Sequence, residues 1–264
     1  MPAVPVGSGL SCTRKAMPSA FASVQESTEP TGTAGIYIDA AGRNSIVIGP
    51  GANASLTADF VRGQIDVLGN AAVVLAQLES PRDAVFEALV RGRAAGAIAM
   101  LNPAPANAEV DAALLAACDL VTPNETEFAA LLAAHTDRRL DPDAVGTLDD
   151  AALHDACRAL LPHGTVVVTL GHAGAFVSHG DPVRHHDIAA AYRVASERVH
   201  AVDTTGAGDA FNGALAARLA RGDTRPFSDH VRFANRYAAL SVESPGAAAS
   251  MPRFESVQAR FGDR

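Results

Sequence analysis

Asp209 stands directly behind three small residues in the run Asp203-Thr204-Thr205-Gly206-Ala207-Gly208-Asp209-Ala210-Phe211-Asn212-Gly213. At Gly206, Ala207 and Gly208 the backbone can turn successive N–H groups inward at the start of a helix, where the dipole and the unpaired donors favour an anion. A carboxylate beside such an anion hole is placed to take a proton from an alcohol as that oxygen attacks a γ-phosphate, while the amides stabilise the transferring group. The chemistry this implies is phosphoryl transfer with Asp209 as base. Taken alone, the tetrapeptide serves equally well as a helix N-cap with an acidic first turn. Asp203, six residues earlier, reads as holding the loop or a cation.

Three further groups carry chemistry. Asn124-Glu125-Thr126-Glu127 follows Pro123 at a strand-to-helix junction. There Glu127 either closes a capping box with Asn124 or orders a hydrated Mg²⁺ through oxygen ligands. Thr165-Val-Val-Val-Thr-Leu-Gly-His-Ala-Gly174 ends a buried strand in a Gly-rich turn. Glu79, in Gln77-Leu78-Glu79-Ser80-Pro81, offers a carboxylate that on its own reads as one held by a helix dipole. Lys15 is the single lysine, and neither a Gly-x-x-x-x-Gly-Lys-Ser/Thr loop nor a strand-borne lysine of the protein-kinase kind is present. Backbone amides, metal or arginine must therefore hold any phosphate.

The elements that position these groups are legible as short apolar runs alternating with helices. Gly35 to Asp39 and Ser45 to Ile48 predict a hairpin across Ala41-Gly42-Arg43. Strands are predicted at Val73 to Ala76, Ala97 to Leu101, Leu120 to Thr122 and Thr165 to Leu170. Helices are predicted at Pro81 to Ala95, Val110 to Cys118, Glu125 to Ala134, Leu148 to Leu161, Asp209 to Arg221 and Pro226 to Val242. Continuous apolar strands between helices imply a mostly parallel sheet covered on both faces. Ligands in such sheets sit beyond the carboxyl ends of the strands, where Glu79, Asn102, Asn124 and Thr169 to Gly174 fall.

Together the Asp203–Gly213 run, Pro-Asn-x-x-Glu at 123 to 127 and the Thr-Leu-Gly turn resemble the ribokinase-like (PfkB) carbohydrate kinases over about residues 30 to 260. The resemblance implies a three-layer α/β/α sandwich with the N-terminal strands and lid incomplete, and ATP-dependent phosphorylation of a pentose primary hydroxyl, D-ribose first. It implies ATP contacts at Asn124, Thr169, Leu170, Gly171, His172, Ala173, Gly174, Gly208, Asp209 and Asn235, with the His172 side chain facing solvent. It places Glu79 and Asp209 at the sugar. Glu127 would hold Mg²⁺ through water, and Asp203, Thr205, Ser241, Ser244, Gly246 and Ser250 would surround K⁺. Asp209 would be the catalytic base, and the family's homodimer, whose contacts run through the missing lid, stays an open assembly. Residues 1 to 30 read as an irregular segment before a kinase domain at 31 to 264. The family's first strand with its sugar-binding Asp, and its Gly-Gly-Lys-Gly-Ala-Asn loop, have no counterpart. Two alternatives stay open: an inactive nucleotide-binding remnant, or a kinase of the same family for another sugar or a nucleoside.

Composition narrows the setting. A chain of 264 residues, 48% hydrophobic, can bury one large core. Its net charge of -8 and pI near 5.5 argue against a nucleic-acid or anionic-membrane surface. Cys12, Cys118 and Cys157 lack metal-ligand spacing and read as buried reduced thiols. With no span of roughly 20 apolar residues and no apolar signal-peptide centre, the expected location is the cytoplasm.

Overall fold

The computed structural model describes residues 23–24, 26–38, 44–180 and 186–262. Lys15, Cys12, the hairpin turn at 41–43 and nearly all of the segment read as irregular lie outside the described residues.

Eight strands and ten helices follow one another among the described residues: β1 Thr33–Ile38, β2 Asn44–Gly49, α1 Ala58–Arg62, α2 Ile65–Gly69, β3 Val73–Ala76, α3 Arg82–Ala94, β4 Ile98–Leu101, α4 Ala112–Ala116, β5 Leu120–Val121, α5 Glu125–His135, α6 Pro142–Val145, α7 Asp150–Leu160, β6 Thr165–Thr169, β7 Ala175–His179, β8 Ala191–Val194, α8 Ala207–Leu219, α9 Phe227–Ser241 and α10 Phe254–Phe261. β1 and β2 pair antiparallel in a sheet of their own, with Thr33 opposite Gly49. The other six strands form one sheet in the order β3-β4-β5-β6-β7-β8. β3 to β6 are parallel, and β7 and β8 return antiparallel.

The two faces of that sheet separate by the period-2 alternation of its strands. Ala99, Leu101, Val121, Val166, Val168 and Phe176 point into one core with Leu89 of α3, Leu114 of α4, Phe128 of α5 and Leu153 of α7. Met100, Leu120, Val167, Ala175 and Val177 point the other way, against Phe211 and Leu215 of α8 and Phe227 and Val231 of α9. β4, β5 and β6 read as continuous apolar runs because they are covered on both faces, whereas Leu75 of the edge strand β3 is 39% exposed. The result is a mostly parallel sheet in a three-layer α/β/α sandwich.

The helices begin where local chemistry tells them to. Asp111, Asp149 and Asn124 each accept a backbone N–H at the N-cap of α4, α7 and α5. β7 and β8 extend the sheet beyond the strands that periodicity picks out. Both are short, and β7 follows β6 through the tight turn at Gly171–Ala173. Cys118 and Cys157 are buried and free, and burial pushes each thiol up to about 12.

Candidate active site

The carboxyl ends of β3, β4, β5 and β6 and the start of α8 meet at one pole of the sheet. Thr169 pairs with Asn124 in an isolated parallel bridge, and its N–H donates to the Pro123 carbonyl at 2.9 Å. The loops after β3 and β4 are tied by the Leu78 N–H, which donates to the Ala104 carbonyl at 2.9 Å. Glu79 is exposed in the first of these loops. Its charge acts on Asp209.

Asp209 occupies the first turn of α8. Burial first, and the Glu79 carboxylate second, hold its acid group above the ordinary carboxylate value. A raised base that still meets solvent is suited to collecting a proton. Gly206, the N-cap, has φ 78°, and a Cβ there would lie 3.1 Å from the Ala247 Cβ. Glycine thus admits both the left-handed turn and the close approach of the 247–251 segment. The Ala207 N–H donates to the Thr204 carbonyl at 3.1 Å, closing a turn. Among the first-turn amides, those of Gly208 and Asp209 have no acceptor within the helix. Asp209 therefore offers an amide as well as a carboxylate, whereas the sequence pointed only to residues 206 to 208 for amides.

Asn124 and Glu127 form a reciprocal capping box. The Glu127 N–H donates to Asn124 Oδ1 at 2.8 Å, and the Asn124 N–H donates to Glu127 Oε2 at 2.9 Å. Asn124 Nδ2 adds a bond to Glu127 Oε1 at 3.1 Å. Glu127 is 6% exposed, and burial raises its acid group while the Asn124 N–H pulls the other way. Both carboxylate oxygens are engaged, so the cap is real; water-bridged magnesium would use their remaining lone pairs. Among the described residues no three His, Cys, Asp or Glu side chains converge as a metal cluster.

Along Thr169–Gly174 the side chains divide. Leu170 is 3% exposed and belongs to the core, so only its backbone can face a ligand. Gly171, His172 and Ala173 are exposed. Gly174 has φ 98°, and a Cβ there would lie 2.1 Å from the Val194 carbonyl oxygen. Asn235 is buried on α9 and donates Nδ2 to that same carbonyl at 3.0 Å. It thus fastens α9 to the end of β8 beside the Gly174 turn.

Asp203 bridges the loop before α8 and the loop after α9. Its Oδ1 accepts the Thr205 N–H at 2.9 Å and its Oδ2 accepts the Gly246 N–H at 2.8 Å, which hold the carboxyl below its ordinary value. Ser241 and Ser250 donate their hydroxyls to the carbonyls of Ala238 and Ala247. Hydroxyl oxygens that have given up their hydrogen keep lone pairs, and these hydroxyls and the Asp203 carboxylate are oxygen donors of the kind a hard monovalent cation takes. Ser244 is exposed in the same loop.

The family model described as pfkB family carbohydrate kinase matches residues 17–253. The chain belongs to that family. A ribokinase of Staphylococcus aureus (strain COL) is 34% identical over 229 residues, covering 86% of this chain and 68% of that protein. A ribokinase of Mus musculus is 36% identical over 223 residues, covering 84% of this chain and 64% of that protein. The chain therefore spans about two thirds of the length of these relatives. Among solved structures, Arabidopsis thaliana ribokinase complexed with ribose and ATP superposes with a TM-score of 0.69 at 27% identity, covering 88% of this chain and 69% of that one. The fold that the sequence resemblance implied, a ribokinase-like α/β/α sandwich, is the fold observed.

Sequence reasoning did not find Thr122 and Asn212, which meet beneath the α8 N-terminus. Thr122 donates its hydroxyl to Asn212 Oδ1 at 2.6 Å. Asn212 lies inside the Asp203–Gly213 run, but nothing local marks Thr122 as its partner.

Proposed function

We propose that this chain transfers the γ-phosphoryl group of ATP to the primary hydroxyl of a pentose, D-ribose first, giving the 5-phosphate. The observation that carries the reading is the pairing of Asp209 with the α8 first turn, across from Glu79 at the carboxyl ends of a parallel sheet. Asp209 takes the hydroxyl proton as that oxygen forms its bond to the γ-phosphorus and the bond to the β,γ-bridging oxygen breaks, with ADP leaving. The amides of Gly206, Gly208 and Asp209 stabilise the charge on the transferring oxygens, Gly208 and Asp209 being aimed outward by their position, while the Ala207 N–H is taken by the Thr204 carbonyl. Glu79 holds the sugar.

The Asn124 and Thr169–Gly174 edges supply the nucleotide's bed, with Asn235 bracing the adenine side. Glu127 would hold Mg²⁺ through water, and Asp203, Thr205, Gly246 and the 241–250 serines would hold K⁺. When bound, such cations neutralise phosphate charge and steady the loop.

ADP release with Mg-ATP, K⁺ and D-ribose tests the reading. Asp209→Asn should retain ATP binding while turnover falls by ~100-fold or more, as for loss of a general base. A near-normal rate in this variant would remove Asp209 from that role. ATP binding without sugar-dependent turnover in the unaltered chain would instead mark a nucleotide-binding protein.

A further inference from the structure

A buried polar chain runs beneath the α8 N-terminus and connects the sheet to the transfer site. Asn102, just beyond β4, donates its backbone N–H to the Ala76 carbonyl and its Nδ2 to the Thr122 carbonyl, each at 2.9 Å. Thr122, just beyond β5, gives its hydroxyl hydrogen to Asn212 Oδ1 at 2.6 Å. Asn212 gives Nδ2 to the Gly208 carbonyl at 3.0 Å. That carbonyl can only accept, so it fixes which end of the Asn212 amide is nitrogen and leaves Oδ1 for the hydroxyl. Thr122 and Asn212 are 1% and 4% exposed, so losing the Thr122 hydroxyl leaves Asn212 Oδ1 without its donor away from water, whereas Thr122 without Asn212 still has the Leu101 carbonyl at 3.4 Å.

The geometry matters because the Gly208 carbonyl and the Asp209 N–H belong to one planar peptide. The carbonyl points down α8 toward Asn212, and the N–H points out of the first turn. A second hydrogen bond on the carbonyl, added to that of the helix ladder, resists tilting of the plane and polarises the N–H toward an acceptor. It also fixes the Cα from which the Asp209 side chain springs. We propose that Thr122 and Asn212 are positioning residues for phosphoryl transfer: they lock the Gly208–Asp209 peptide to the carboxyl end of β5 and so hold its amide and the Asp209 carboxylate in a fixed aim. This inference rests on the kinase reading above for its catalytic consequence, but not for the lock itself.

Thr122→Val keeps the shape of the side chain and removes the donor; Thr122→Ser keeps the donor. Thr122→Val should lower kcat at least ~10-fold with KM for ATP within ~2-fold, and Thr122→Ser should return kcat to within ~2-fold of the unaltered chain, the split expected when only transition-state contacts are lost. Asn212→Asp sets an oxygen against the Gly208 carbonyl and puts a charge about one turn from Asp209. Its kcat should fall, with the acid limb of the kcat–pH profile moved to higher pH. Hydrogen exchange of the 205–212 segment needs no turnover, and it should run ~10-fold faster in Thr122→Val than in the unaltered chain. Absence of ribose-dependent turnover in the unaltered chain would sink the kinase reading while this exchange comparison still judged the lock. Unchanged kcat and exchange in Thr122→Val, or a defect that serine does not repair, overturns the proposal. Should the valine variant fail to fold, an unshifted Asn212→Asp acid limb overturns it as well.

Discussion

Asp209 carries a conflict between stability and use. Its acid group lies above the ordinary carboxylate value in the folded chain, through burial first and the Glu79 charge second. Between the unfolded and folded values the native state binds more protons, so stability falls as pH rises through that window, and at neutral pH the full penalty is present. Asp209→Asn should therefore lose turnover without a lower melting temperature at neutral pH. With Asp209 as the proposed base, the same two causes set the acid limb of the rate. Glu79→Gln removes the neighbouring charge and should move the acid limb of kcat to lower pH; a limb left in place would separate Glu79 from the base. The Asp209 neighbourhood was legible because its meaning lies within eleven consecutive residues. Thr122 and Asn212, 90 positions apart, meet only once β5 and α8 are packed, and no local pattern could announce them.

At the level of elements, α5 is where structural and functional readings coincide. Its capping box uses both oxygens of Glu127, and a substitution can separate the two roles. Asn124→Ala removes the N-cap acceptor and should destabilise the fold by about 1 kcal/mol, read from urea unfolding. Glu127→Gln keeps an N3 residue that can still close the box, so stability should hold. A raised Mg²⁺ requirement in that variant alone would assign the carboxylate to the metal; an unchanged one would leave Glu127 as a cap. The parallel strands were legible from their unbroken apolar runs. β7 and β8 were not, since the polar Ser178 and His179 and the charged Arg193 interrupt their apolar runs, and the pattern is resolved only by the antiparallel pairing of β7 with β6 and of β8 with β7.

For the molecule as a whole, the cleft draws on both layers of the sandwich: α5 packs on one face of the sheet and α8 on the other. A ligand spanning them should stabilise both halves together. With MgATP at about 100 times its Kd the unfolding free energy should rise by about 2.7 kcal/mol in one transition. Two transitions, only one of them moved, would mean that the layers unfold separately. Among the described residues no helix is long and apolar enough to cross a membrane.

The unbroken order β3-β4-β5-β6-β7-β8 also has a temporal meaning. Each strand of the main sheet pairs with the one made just before it, so a chain leaving the ribosome can extend its sheet one strand at a time without waiting for a distant partner. Helix α8 is synthesised only after that sheet is complete. A nascent chain interrupted before Gly206 would hold the whole sheet and the helices on one of its faces but neither α8 nor α9, so the proposed base arrives with the layer that covers the second face.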